Sequence, residues 1–317
     1  MHEGKAKGSE LIIFDDGTLY HIDIGRKDNI PPNLFLVGAS ERVDAISKHF
    51  DEVYFSHRNS ARPEFYVVCG MYNGVPMAAM SIGIGCDNTE IVLNELHALF
   101  EYDHVKDAWD MQDAKVNIIR VGTCGAFQEK MPTGSIAISE YSLGLDNLGA
   151  YYPTPQKDKK CASIEESFLR TPVGKVSTLS YCSRATPHVA ELLKKTAYRL
   201  GEHEDAIYTG ITTSAPGFFG PEGRSIGRIK TTLNSKEFLD TVRTFDNDGT
   251  RIINTEMESS ILFRIAHEIL GYNVGTLCLV VDNIFTNEVI LSDVAKTRMD
   301  ACIKIALETM TSLSKEA

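Results

Sequence analysis

The stretch Val116-Asn117-Ile118-Ile119-Arg120-Val121-Gly122-Thr123-Cys124-Gly125 decides how the chain reads. Residues 116–121 form an apolar run of strand length, the composition of a strand buried on both faces of a sheet. One arginine stands inside that run. A guanidinium in an apolar strand is costly unless an anion meets it, so Arg120 asks for a partner or a ligand. Two glycines flanking Thr123 then follow. In α/β sheets ligands gather at the carboxyl ends of strands. The stretch therefore predicts an α/β fold with an anion-handling site where this strand ends.

Outward from it, strands and helices alternate. Residues 34–38 form a compact apolar run ending in Gly38, and Ser40-Glu41-Arg42-Val43 opens a helix. Residues 65–69 and 76–82, joined by Asn73-Gly74, read as a hairpin. Asp87-Asn88 caps a further helix. Strands are expected at 11–14, 18–24, 135–141, 207–213 and 274–281, and helices at 186–200, 254–269 and 292–314. Residues 101–115 read as a charged surface excursion, 146–167 as a long loop and 215–228 as a Gly/Pro-rich loop. The pattern has no internal repeat or linker. It predicts a single α/β domain over 1–317, with a mixed, mostly buried central sheet flanked by helices.

Composition narrows the function. The 317 residues carry 32 Lys+Arg against 43 Asp+Glu, a formal charge of −11, which disfavours nucleic acid and anionic membranes as partners. No apolar run approaches the ~18 residues a membrane helix needs, and the polar start lacks a signal-peptide core. Seven scattered cysteines without a C-x-x-C motif suit reduced thiols and a cytoplasmic location rather than disulfides or zinc. Gly83-Ile84-Gly85 lacks the rest of a dinucleotide fingerprint, and no Walker lysine appears. No cofactor or metal is expected.

Three strand ends and one acidic segment remain. Gly38 and Arg42 flank a helix start where backbone N–H groups can receive an anion. His57-Arg58 follows Tyr54-Phe55. Taken alone, Arg42 reads as a solvated helix charge and Arg58 as a loop charge; Arg120 does not yield to that reading. In Asn254-Thr255-Glu256-Met257-Glu258-Ser259-Ser260, two carboxylates two apart on a helix point to different faces, one for a local salt bridge and one for a cleft. A carboxylate in a cleft suits a vicinal diol, because it accepts two hydroxyl protons. A capped helix with surface acids fits the spacing equally.

Together LVGASER (36–42), SHR (56–58), SIGIG (81–85), RVGTCGA (120–126) and NTEMESS (254–260) resemble the nucleoside phosphorylase superfamily, uridine phosphorylases most closely. The resemblance implies phosphorolysis of a nucleoside, with phosphate as co-substrate. It implies phosphate binding by Gly38, Arg42, Arg120 and Thr123, with Arg58 lent by a partner subunit. Ribose falls to Met257 and Glu258, with His21 reaching across a dimer in which residues 1–33 form a contact arm. The base falls to Phe218, Glu222 and Arg224, and the catalytic roles to Arg120, Arg224 and Glu258. Glu222 stands where the family usually has glutamine. An ionised glutamate accepts the uracil N–H but cannot donate to the carbonyl beside it. Either Glu222 is protonated, or it pairs with Arg224, or the base is not uracil. Asp282 stands where hexameric purine nucleoside phosphorylases carry their acid, which keeps a purine base open. A hydrolytic nucleosidase has no use for three phosphate arginines, and a non-catalytic nucleoside-binding member is the remaining alternative.

Overall fold

The computed structural model describes residues 8–110, 114–154 and 157–316; the expectations at 1–7, 111–113 and 155–156 lie outside them. The first buried strand, β1 (Asn33–Val37), leads into helix α1 (Ser40–Ser47). Strands β2 (Glu52–Arg58), β3 (Phe65–Tyr72) and β4 (Val75–Ile82) form an antiparallel meander. Its tight turn is Asn73-Gly74, both at positive φ (49° and 76°), the conformation that a two-residue hairpin demands. Helix α2 (Cys86–Glu101) follows, then β5 (Asn117–Ala126) and β6 (Ile136–Gly144). The chain continues through α3 (Lys159–Leu169), β7 (Tyr181–Arg184), α4 (Pro187–Arg199) and β8 (Ile207–Ser214). Helix α5 (Ser235–Thr244), β9 (Thr250–Glu256), α6 (Ser259–Leu262), β10 (Asn273–Asn283) and α7 (Ser292–Glu316) complete it.

The expected mixed, buried sheet is present, in the order β9-β8-β6-β10-β5-β1-β4-β3-β2. It is not simply open. The last residues of β5 also pair with β9, Gly125 opposite Thr255 and Ala126 opposite Asn254, so β9, β8, β6, β10 and β5 close into a ring. Strand β5 thus serves two neighbours: its first half, Asn117–Arg120 by register, lies beside β1, and its end turns to β9. A register shift at Val280/Asp282 in β10 falls opposite Gly125. Such a bulge re-aims the side chain it displaces, here Asp282. The core is apolar, with Phe35, Ile119, Leu277 and Ile303 almost wholly buried, and α7 packs on β5 and β10.

Four expectations are corrected. Residues 11–14 and 18–24 make a single bridge, Ile13 to Leu19, because Leu19 N and Asp23 N bond locally to Ile24 O and Leu19 O. The helix expected at 254–269 begins as β9, its β-branched Ile252 and Thr255 paired with β8 and Thr255 also with β5, and turns helical only at Ser259. It then continues as a π-helix, Phe263–Ile269. The expected loop 146–167 contains α3, whose N-cap Asp158 accepts from Lys160 N and Cys161 N while Ile164 and Phe168 bury its inner face. Helix α2 starts at Cys86 behind Gly85, one residue before the expected Asp87-Asn88 cap.

The π-helix carries a buried pair. Arg264 Nε lies 3.4 Å from Glu268 Oε2, and Nη1 donates to Thr154 Oγ1 at 3.3 Å, tying the segment after β6 to the core. Burial pushes the Glu268 carboxyl up to about 6, against the pull of Arg264. A carboxyl raised in the fold favours folding while protonated, so its contribution is full below the unfolded value and disappears as pH rises through the folded one. Urea unfolding of the wild type should therefore lose about 2 kcal/mol between pH 4.5 and 6.5 from this group. Glu268→Gln should lack that component; an identical pH dependence in both proteins would refute it.

Candidate active site

A cavity of about 250 Å³ opens where β1, β5, β9 and β10 end and where the 215–233 loop leaves β8. It is lined by Gly38, Arg42, Arg120 and Thr123 at one end, Met257 and Glu258 in the middle, and Phe218, Glu222, Arg224 and Asp282 at the other. These residues come from segments 38 to 282, and only the sheet brings them together.

Arg120 is the pivot. It is 5% exposed, with Nη1 3.0 Å from Glu256 Oε2 and Nη2 bonded to Glu258 Oε2. Nη1 also donates to Cys278 Sγ at 3.2 Å. Burial works against the charge, but Glu258 and Glu256 outweigh it and hold the guanidinium above its ordinary value. The Glu258 carboxyl is pushed up by burial, pulled back by Arg120 and pushed again by Glu256. Its second oxygen accepts from Gly85 N at 2.7 Å. Glu256 in turn accepts from Ser259 N at 3.0 Å and Glu258 N at 3.1 Å, so it closes the strand-to-helix turn as well as binding Arg120.

This arrangement replaces the sequence reading of the two glutamates. They do not diverge from one helix; they converge on one guanidinium from a strand end and the turn after it. The acid expected to make only a local salt bridge is Glu256, and its salt bridge is to Arg120 in the cavity lining. The signal that finds it is the β-branched run before it, which marks a strand. Gly122 is the other residue that sequence left as a plain turn. A Cβ there would stand 2.2 Å from Arg120 Nη1 and 2.8 Å from Cys278 Sγ, so the guanidinium folds back over bare backbone.

Arg42 Nη1 donates to Val121 O at 3.1 Å, and burial together with Arg120 pushes its guanidinium below the ordinary value. Two cations held side by side over Thr123 form an end that an oxyanion would relieve.

The opposite end is aromatic and ionic. Arg224 lies over the Phe218 ring, 4.4 Å from its centroid, and Phe218 is half exposed. Arg224 Nη2 is 2.5 Å from Glu222 Oε2, while Thr255 Oγ1 donates to Glu222 Oε1 at 3.2 Å. Of the three alternatives for Glu222, pairing with Arg224 is the one present. Burial still pushes Glu222 up, and does the same to Asp282, both against Arg224. Among the described residues, Arg224 Nε is buried without a hydrogen-bond partner. It is a donor left for a ligand.

His21 and Arg58 line no part of this cavity. The segments that carry them touch each other. His21 Nδ1 is 2.6 Å from Glu95 Oε1, Asn59 Nδ2 donates to His21 O at 2.8 Å, and His57 Nε2 sits 2.8 Å from Asp23 Oδ2. Arg58 ends edge strand β2, over the Tyr66 ring. Among the described residues no group of three or more His, Cys, Asp or Glu gathers in a way that would hold a metal. No described helix is long and apolar enough to cross a membrane.

A family model described as the phosphorylase superfamily matches residues 34–312. The chain is 26% identical to the uridine phosphorylase of Thermococcus kodakarensis over 86% of this chain and 80% of that protein. It is 22% identical to the guanosine phosphorylase of Halorubrum lacusprofundi over 97% of this chain and all of that protein. Among solved structures, a Trypanosoma brucei nucleoside phosphorylase described as showing uridine phosphorylase activity superposes with a TM-score of 0.86 at 29% identity, over 95% of this chain and 99% of that one.

The geometry around Gly122 makes a test that is independent of the reaction. In Gly122→Ala the new methyl should displace the Arg120 guanidinium, weakening calorimetric binding of inorganic phosphate by about tenfold, the loss of one charge-assisted hydrogen bond. Unchanged binding would remove Arg120 from the anion site.

Proposed function

The chain belongs to the phosphorylase superfamily and is a nucleoside phosphorylase, a pentosyltransferase; within that family, we propose that it is a uridine phosphorylase. It cleaves uridine with inorganic phosphate to uracil and ribose 1-phosphate, and acts on deoxyuridine by the same route. The observation that carries this reading is the base end of the cavity, where Phe218 stacks with Arg224 and Arg224 keeps an unpaired buried N–H. Arg224 Nη2 lies 2.5 Å from Glu222 Oε2 and Thr255 donates to Oε1, so Glu222 repels a uracil carbonyl less, and Oε2, without a hydrogen-bond partner among the described residues, is free to accept the imide N–H.

Phosphate sits on Arg42, Arg120 and Thr123, beneath the anomeric carbon. As the glycosidic bond breaks, the sugar gains positive and the base negative charge, so the groups that matter are those whose attraction grows at that moment. The phosphate anion stabilises the sugar, and Arg224 stabilises the departing base through its oxygen. Glu258 accepts the ribose hydroxyl protons beside Met257. Because Glu258 and Arg120 are bonded to each other, the sugar and phosphate subsites share one ion pair.

His21 and Arg58 act in the cavity of a second subunit, His21 on the ribose 5′-hydroxyl and Arg58 on phosphate. That their segments touch and that neither residue lines its own cavity supports this. The working unit is then at least a dimer with shared sites.

A purine reading has its own support. Asp282 lines the base end with its carboxyl raised by burial, a form able to donate to a ring nitrogen, and a guanosine phosphorylase is among the relatives. Absorbance assays of base release from uridine and inosine, with and without phosphate, separate the two. Phosphate-dependent uracil release is expected; cleavage of inosine alone would install the purine reading, and phosphate-independent cleavage would overturn both.

Arg224→Ala should cost about 2.7–4 kcal/mol in kcat/KM for uridine, the worth of one oxyanion donor. Arg58→Ala should be similarly impaired, yet unfolding and refolding the two inactive variants together should restore about a quarter of wild-type activity, since half the dimers then hold one intact site. No recovery on mixing would place Arg58 outside a shared site.

A further inference from the structure

We propose that Asp146, which lines no part of the cavity, is a positioning residue that sets the sugar-binding Met257-Glu258 turn by clamping the starts of α2 and α6 together; this rests on the sugar role given to Glu258 above. Asp146 follows β6, is buried, and among the described residues bonds to neutral donors. Oδ2 accepts from Ser260 Oγ at 2.9 Å and Cys86 Sγ at 3.4 Å. Oδ1 accepts from Tyr181 OH at 3.0 Å and Leu148 N at 2.9 Å. A buried carboxylate is tolerable when several donors surround it, and such a cluster then fixes all of them at once.

Two of those donors bracket Glu258. Cys86 follows Gly85, whose N–H binds Glu258 Oε1, and the Cys86 sulfur also lies 3.1 Å from Met257 O. Ser260 is two residues beyond Glu258, and its N–H is held by Ser214 Oγ, which itself donates to Glu256. One carboxylate therefore fixes both the N–H that orients Glu258 and the helix start that carries it. The cluster is built for this contact. A Cβ at Gly144 would stand 2.5 Å from the Tyr181 ring and 2.8 Å from Asp146 Oδ2, and one at Gly149 would stand 2.3 Å from the ring. Burial, then Asp146 itself, keeps both Tyr181 and Cys86 protonated as donors.

The test compares uridine with 2′-deoxyuridine at saturating phosphate for wild type, Asp146→Asn and Cys86→Ala. A displaced Glu258 loses its grip on the ribose hydroxyls, so kcat/KM for uridine should fall about tenfold, mostly through KM, the worth of one charge-assisted hydrogen bond. The deoxynucleoside, lacking one of those hydroxyls, should fall clearly less, and phosphate affinity by calorimetry should fall less than kcat/KM for uridine, because Arg120 keeps Glu256 when Glu258 shifts. Equal losses on both nucleosides, or a loss of phosphate affinity as large as the loss on uridine, would reduce Asp146 to a scaffold residue and overturn the proposal, as would unchanged kinetics. Should Asp146→Asn not fold, Ser260→Ala removes one donor only and must give the same ribose-selective loss. If the wild type instead cleaves inosine, inosine and 2′-deoxyinosine serve as the pair. A wild type that cleaves no nucleoside with phosphate would sink the function first; a cleaving wild type with unselective variants would sink only the role of Asp146.

Discussion

The guanidinium of Arg120, buried in the middle of a sheet and held between Glu256 and Glu258, is the interaction on which the rest of the site depends. A lone buried charge would be untenable, and a pair with one carboxylate would still leave N–H groups unpaired. Two carboxylates and a cysteine sulfur satisfy it. This solution imposes requirements on its surroundings: no side chain at Gly122, a strand end at Glu256, and a non-helical residue at Glu258 so that both acids reach the same cation.

The sheet supplies those requirements by closing a ring. Because the end of β5 leaves β1 and pairs with β9, the strand that carries Arg120 and the strand that carries Glu256 become neighbours. The bulge in β10 opposite Gly125 brings Asp282 to the same opening. Charge is then ordered along the cavity: two cations, then carboxylates, then an arginine stacked on an aromatic ring, the sequence that the proposed function assigns to oxyanion, hydroxyls and base. Asp146, outside the cavity, holds Ser260 two residues beyond Glu258, while within the lining Thr255 donates to Glu222. The surface with His21 and Arg58 belongs to a different order of organisation, since neither side chain reaches its own cavity.

Much of this was legible in the chain itself, and the reasons differ by residue. Arg120 was visible because an apolar strand with one charge is an anomaly that composition alone exposes. The hairpin at Asn73-Gly74 was visible because only such residues adopt its backbone. The role of Glu256 was not, because Asn254-Thr255-Glu256-Met257-Glu258 suits a helix and a strand end about equally when read locally, and pairing with β5 and β8 decided between them. The helix at Lys159–Leu169 was hidden behind a lysine run and prolines, and its burial against the body stabilises it.

The residue set expected for a nucleoside and phosphate comes from the family resemblance; what the sequence by itself determined is the mixed sheet and the strand end where a buried arginine demands a partner. Those follow from local rules: strand composition, turn residues and the cost of burying a charge. What only the tertiary structure decided is which of those residues share one cavity, which pair neutralises which, and that Glu222 is tied to Arg224 while His21 and Arg58 stand apart. Such relations join residues far apart in the chain, and hydrophobic periodicity carries no information about distances between them; they arise from strand pairing and from the requirement that every buried charge find its counterpart.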